Sequence, residues 1–192
     1  MKLVETPLAG VLRVEPLVHQ DERGFFLEVF HAGKFEAQGL ALAFVQDNHS
    51  QSRRGTLRGL HVQTRAPQGK LVRCVEGEIW DVAVDVRIGS PGFGRWHGER
   101  LSDSNFHQLW IPPGFAHGFC VLSERAQVEY KCTTLYDPES DLAIAWNDAA
   151  LAVAWPVDSP VLSDKDAAAA PLAAHTDRLP RYQGLTLSLI HI

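Results

Sequence analysis

The sequence predicts an all-β sandwich or barrel, and three observations carry that expectation. Short β-prone runs recur at close intervals between residues 57 and 135. Turn chemistry separates them, as in Ser90-Pro-Gly-Phe-Gly94 and Pro112-Pro-Gly114. Residues 78–86 alternate with period two, placing Trp80, Val82, Val84 and Val86 on one face and Ile79, Asp81, Ala83 and Asp85 on the other. The two aspartates make that second face polar. It is either exposed to solvent, the usual case, or the lining of a wet barrel cavity.

Taken in order, Leu8 to Leu17 is β-rich, Asp21-Glu-Arg-Gly24 is a turn, and Phe25 to Phe30 is an aromatic strand. A short helix is expected over 32–39, ended by Gly39. Residues 44–50 start apolar and become fully polar, and 51–55 read as a basic loop closed by Gly55. Strands follow near 57–62, 70–76, 78–86, 95–101, 107–111, 116–122 and 127–135. Composition then changes near residue 147. The expected organisation is one domain over 1–192, with a β core at about 8–148 and a helical segment at about 149–185. Within the latter, Asp164 to Ala170 makes a short helix stopped by Pro171. Residues 186–192 read as a tail, either a natural strand or a non-native addition.

Charge and cysteine usage exclude several classes. A formal charge of −5 argues against nucleic acid as the main partner. The three cysteines, Cys74, Cys120 and Cys132, have no metal spacing and lie in apolar runs, so buried free thiols are expected. The N-terminal residues form no apolar signal core, and no run reaches membrane-spanning length. A cytoplasmic protein with no membrane partner is the expectation.

The chemistry concentrates around Arg58-Gly-Leu-His61 and Lys70. The spacings Gly55–His61 and Lys70–Gly77 mimic one motif of metal-binding cupin jelly rolls, and Pro112, Gly114 and His117 match the other. In that first motif the second His is replaced by Gln63 and the Glu by Lys70. Lys repels a cation and offers no lone pair while protonated, so no metal is expected. The same substitutions suit proton transfer. A neutral His accepts a proton, and an ammonium stabilises an enolate oxygen. A proton beside a ketone is roughly twelve pKa units less acidic than imidazolium, a gap of about 16 kcal/mol. His alone cannot bridge it, so charge stabilisation must supply much of the rest. Tyr130 is a candidate acid for the opposite face. Taken singly, such a His, Lys or Tyr in a β protein is more often structural.

Longer matches identify a family. Asp21-Glu-Arg-Gly-Phe-Phe26, Phe44-Val-Gln-Asp-Asn-His-Ser50, Leu57-Arg-Gly-Leu-His61, Gln68-Gly-Lys-Leu-Val-Arg-Cys74, Leu109-Trp-Ile-Pro-Pro-Gly-Phe-Ala-His-Gly-Phe119, Tyr130-Lys131 and Ser163-Asp-Lys-Asp-Ala-Ala-Ala169 occur in one order. The chain therefore resembles the dTDP-4-dehydrorhamnose 3,5-epimerases, the RmlC-type cupins, from about Val11 to Pro171. The resemblance implies a double-stranded β-helix, or cupin jelly-roll barrel, with short C-terminal helices and no cofactor. It implies His61 as the base for C3 and C5 of a dTDP-4-keto-6-deoxy sugar, Asp166 as its orienting partner, Tyr130 as the returning acid and Lys70 as the enolate stabiliser. Arg23, Arg58 and Lys165 would face the pyrophosphate region, and Glu28, Gln46, Asp47, Asn48, His117 and Asp141 would line the rest of the substrate pocket. It also implies a homodimer with exchanged N-terminal strands.

Two departures bear on substrate detail. The family often has a Tyr-Tyr pair where this chain has Leu135-Tyr136, and Asp141 replaces a frequent Glu. Rival readings are a single-carbon epimerase, a 3,4-ketoisomerase, a non-catalytic sugar-nucleotide binder and a metal-dependent dioxygenase.

Overall fold

Alternation along the strands sorts side chains into one interior and two outer faces. The computed structural model describes residues 1–183. In chain order the elements are β1 (Lys2–Glu5), β2 (Leu12–Glu15), β3 (Val18–Asp21), β4 (Gly24–Leu27), α1 (Ala32–Glu36), β5 (Gln46–Arg53), β6 (Leu57–Gln63), β7 (Lys70–Glu76), β8 (Glu78–Asp85) and β9 (Trp96–Ser102). They continue with β10 (Gln108–Ile111), β11 (Phe115–Val121), β12 (Arg125–Cys132), β13 (Asp141–Ala143), α2 (Asp164–Ala167) and a 3-10 turn at Leu172–His175. One sheet runs β1-β2-β10-β7-β12-β5 and the other β13-β6-β11-β8-β9, while β3 and β4 form a separate ribbon. This is an all-β jelly roll.

The two sheets share one apolar core. Val72, Cys74, Leu109, Ile111 and Val128 from the first meet Ile79, Ala83, Phe115 and Phe119 from the second. Each such burial contributes roughly 1.5–3 kcal/mol. On the outer face of the second sheet, Val82, Val84 and Val86 pack with Leu142, Ile144, Leu151, Leu172 and Leu179. The C-terminal segment is thus a cover for that sheet. Its expected helical character is confined to the four residues of α2 and the 3-10 turn. Tail residues 184–192 lie outside the described residues.

Several boundaries move. The strand β1 precedes the expected start of the β core. The aromatic strand ends at Leu27, and α1 stops at Glu36. The basic segment 51–55 is a strand as far as Arg53, because β5 pairs with β12 along its whole length, from Gln46–Cys132 to Arg53–Arg125. Asp81 and Asp85 lie inside the barrel, both essentially inaccessible, rather than on a solvated face. The cysteines are buried free thiols. Burial pushes the thiol pKa of Cys74 up to about 12 and that of Cys120 to about 11. Among the described residues no helix is long and apolar enough to cross a membrane.

Candidate active site

The polar end of the barrel is built by register. His61 on β6 stands directly opposite His117 on β11. Gly59 makes this approach possible. Its φ is +110°, and a Cβ there would lie 2.6 Å from the His117 carbonyl oxygen and 2.7 Å from Gly118 Cα. On the facing sheet, Cys132 pairs with Lys70 and Tyr130 with Val72, so Tyr130 and Lys70 are diagonal neighbours on one face.

Asp166 arrives from the C-terminal cover. Ser163 caps α2, its hydroxyl accepting from the Asp166 N–H at 3.2 Å. That short helix aims the carboxylate inward, where Oδ1 lies 2.5 Å from His61 Nε2 and Oδ2 accepts from the Gly59 N–H at 3.5 Å. Burial pushes Asp166 toward the neutral acid. The hydrogen bond and charge of His61, with help from Ser163 and Gly59, outweigh it and hold the carboxyl below the usual range. An ionised Asp166 accepts from Nε2–H, which leaves the His61 Nδ1 with a lone pair.

Lys70 and Tyr130 are left ready. Among the described residues, neither the ammonium nor the phenol has a hydrogen-bond or ion-pair partner, and Nζ sits 5.7 Å from the Tyr130 ring centroid. Burial lowers the Lys70 pKa below the ordinary lysine value, against the opposing charges of Asp141 and Asp81 among others. Burial raises that of Tyr130, which keeps its proton.

Two adjoining cavities open here. One, of about 340 Å³, is lined by Ser50, Arg58, His61, Lys70, His117, Phe119, Tyr130, Ser163 and Asp166 among others. The second, about 290 Å³, is lined by Gln46, Asn48, His61, Val62, Gln63, Gln68, Lys70, Tyr130, Tyr136 and Asp141. His61, Lys70 and Tyr130 are the residues common to both linings. Arg58 donates through Nε to Ser52 Oγ at 3.0 Å. Lys165 pairs with Asp141, whose Oδ2 also accepts from the Tyr136 hydroxyl at 3.1 Å.

Four expected pocket residues line neither cavity, and one of them, Lys165, reaches the site only through its pairing with Asp141. Asp47 faces out and pairs with Lys131 at 2.9 Å, because neighbours on a strand alternate and Gln46 and Asn48 take the inward positions. Arg23 is held by Asp21 at the tip of the β3–β4 ribbon, 2.5 Å between Nη2 and Oδ2. Glu28 pairs with Lys34 at 2.7 Å. Neither lines the two cavities.

Sequence reasoning missed Tyr136, Gln68, Ser50 and Phe119 as lining residues. It noted Gln63 only as a lost metal ligand. In the fold Gln63 is a clasp, donating to Ala66 O and Leu135 O and accepting from the Asp137 N–H. It also missed Asp81 as the partner of His117, at 2.7 Å from Nε2. The polar alternation in β8 was the available signal. Both imidazoles thus spend Nε2 on a carboxylate, and the described residues hold no group of three or more His, Cys, Asp or Glu suited to a metal.

Comparison with known proteins places the chain in a family. The sequence model of the dTDP-4-dehydrorhamnose 3,5-epimerase family covers residues 5–174. A relative of that name from Pseudomonas aeruginosa is 55% identical over 168 residues, 86% of this chain and 93% of the relative. One from Neisseria gonorrhoeae is 53% identical over 169 residues, 88% of this chain, and this chain spans about half, 52%, of that longer relative. The crystal structure of an RmlC epimerase from Legionella pneumophila, in complex with dTDP-4-keto-L-rhamnose, superposes with a TM-score of 0.92 at 50% identity, covering 95% of this chain and 99% of the other.

Proposed function

The chain belongs to the dTDP-4-dehydrorhamnose 3,5-epimerase family, and from that membership we propose that it inverts C3 and C5 of dTDP-4-dehydro-6-deoxy-D-glucose to give dTDP-4-dehydro-L-rhamnose. The supporting observation is the shared lining: His61, Lys70 and Tyr130 stand where the two cavities meet. A sugar seated there has a base on one side, a phenol on another and an ammonium beside its carbonyl.

The steps follow from the groups. His61 Nδ1 takes the proton from the carbon next to the C4 ketone. The electron pair moves into the C–C bond and onto O4, where the Lys70 ammonium lowers the energy of the enolate. Tyr130 returns a proton to the opposite face, which inverts the centre, and its phenolate regains a proton from solvent. His61 passes its own proton to solvent before the second carbon reacts. Asp166 fixes the tautomer and steadies the imidazolium. Arg58 and Lys165 would take the diphosphate, guanidinium suiting bidentate contact. Gln46, Asn48, His117 and Asp141 line the remaining pocket, with Tyr136 added as a stacking surface. The resulting product belongs to dTDP-L-rhamnose biosynthesis in the cytoplasm.

The working unit in this reading is a homodimer with exchanged N-terminal strands. Phe25 and Phe26 are 59% and 71% exposed on the β3–β4 ribbon, with Leu17 at 62%. A second copy would cover this apolar edge and bring Arg23 and Glu28 to its partner's cavity. Phe26→Ser is expected to shift the protein to monomer in light scattering and to weaken substrate binding; a dimer that survives unchanged contradicts the exchange.

Proton NMR of the substrate in heavy water, without metal or nicotinamide, tests the reaction. Loss of signal at both C3 and C5 is expected, with rhamnose-configured product trapped by a reductase. His61→Ala should lower exchange about 1000-fold or more while dTDP still binds. Exchange at a single carbon would assign a single-carbon epimerase instead. No exchange with dTDP bound would assign a binding protein.

A further inference from the structure

The cavity contains a second carboxylate–imidazole pair that the proton-transfer scheme above does not use. His117 Nε2 lies 2.7 Å from Asp81 Oδ1, and both side chains are almost wholly buried. The other carboxylate oxygen, Asp81 Oδ2, is buried without a hydrogen-bond partner. A half-satisfied carboxylate in a barrel interior costs free energy, and apolar residues would fill this position more cheaply. Packing alone therefore gives no reason for an aspartate here.

Its neighbours suggest one. The His117 ring meets the Tyr130 ring edge to face, with centroids 6.3 Å apart and planes at 62°. The other side of the cavity places Lys70 over Tyr130. Lys70, Tyr130, His117 and Asp81 thus form a continuous row from the cavity into the barrel interior. His61 and Asp166 form a separate unit whose carboxylate comes from α2. Asp81 comes instead from β8, in the centre of the second sheet. An ionised Asp81 accepts from Nε2–H, which fixes both the tautomer and the ring plane of His117. The ring plane in turn fixes one wall against which Tyr130 rests.

We propose that Asp81 and His117 are a positioning pair for Tyr130, holding the proton-returning side of the cavity as Asp166 holds the proton-removing side. This rests on the epimerase reading and deepens it, since it assigns each of the two carboxylate–imidazole pairs at the cavity to one half of the reaction. Misplacing a reacting group by about 1 Å costs on the order of 100-fold in rate. A disturbed Tyr130 should therefore slow proton return while leaving proton removal by His61 in place.

The test separates those halves. Substrate is incubated in heavy water with the wild type, Asp81→Asn and His117→Asn. Deuterium entering recovered substrate at C3 and C5 is compared with the rate of trapped inverted product. Asp81→Asn is expected to raise the ratio of exchange to inversion about tenfold or more, with KM little changed. A merely structural aspartate would lower both rates together and leave the ratio alone; that result, or no change in either rate, overturns the proposal. His117→Asn removes the ring that Tyr130 rests on and should raise the ratio likewise, so it decides the matter if Asp81→Asn does not fold. Absence of both exchange and inverted product in the wild type would overturn the epimerase reading and this inference with it. Wild-type exchange with unchanged ratios in the variants would overturn this inference alone.

Discussion

Asp81 and Asp85 share one face of β8, and the barrel treats them in opposite ways. Asp85 is saturated: Arg87 donates to it through Nε at 2.9 Å and Nη2 at 2.7 Å, and the Ser90 hydroxyl lies 2.5 Å away. Burial works to raise its pKa, but those donors outweigh burial and keep it below the usual carboxylate range. Arg87 is itself stacked on the Phe115 ring, 4.3 Å from its centroid, and on Tyr182 at 4.9 Å. That corner fastens the C-terminal cover to the barrel. Asp81 has one imidazole, one empty oxygen and a cavity beside it that also holds the unpaired Lys70 and Tyr130 tips. The difference separates two uses of buried charge. A paired charge locks structure, and unpaired groups facing a cavity are held in reserve for a ligand.

The comparison can be broken from either side. Asp85→Ala leaves the Arg87 guanidinium buried without its partner, and should cost about 3 kcal/mol in urea unfolding while turnover at saturating substrate stays close to wild type. Comparable loss of turnover would show that the corner is not purely structural. A smaller effect is expected in alkali. In the proposed mechanism activity requires the Lys70 ammonium, and burial pulls its pKa below 10.5, so the rate should fall at a lower pH than an ordinary lysine would set. Tyr130, shifted upward, does not limit that side. Lys70→Arg should move the alkaline limb upward even if the maximal rate drops, and an unmoved limb would assign it to another group.

Acid acts on His117. Burial keeps its folded pKa below 6.5, so between that folded value and 6.5 the unfolded chain binds more protons. Stability is full above 6.5 and should fall as pH is lowered through that window. His117→Asn should flatten this part of the pH–stability curve, and an unchanged slope would remove His117 as its source. The smallest effect is expected at Asp47, which faces away from both cavities. Asp47→Ala should change kcat by no more than about twofold, as for other exposed ion-paired positions.

Asp47 also shows where sequence reading reached its limit. Gln46 and Asn48 line the cavity at His61 and Asp47 does not, because alternate strand positions face opposite ways; Asp47 lines a different cavity, with His49 and Glu129. The alternation rule that sorted β8 correctly would have excluded Asp47 had residues 46–53 been read as a strand. They were not, because β5 is a sheet edge whose polar residues hide its periodicity. His61 and Lys70 stand out by motif spacing and Tyr130 as a strand phenol suited to the opposite face, whereas Asp166 emerges only from the longer matches. Their meeting was legible only through the resemblance, since His61 and Asp166 stand 105 positions apart in the chain. Arg23 and Glu28 line neither of the cavities at His61, and no spacing rule distinguishes a residue serving its own site from one reaching a partner's.

The most direct measurement is Lys70→Met, with turnover, dTDP affinity and unfolding midpoint taken on one preparation. Replacing a half-buried, unpaired ammonium with an apolar chain of similar length should leave the midpoint unchanged or raised and dTDP binding nearly intact. Turnover should fall about 100-fold or more, the usual loss when a group stabilising a developing oxyanion is removed. A lowered midpoint with proportionate loss of turnover, or turnover retained, would contradict the account, because Lys70 would then be a structural residue rather than a charge held ready for an enolate.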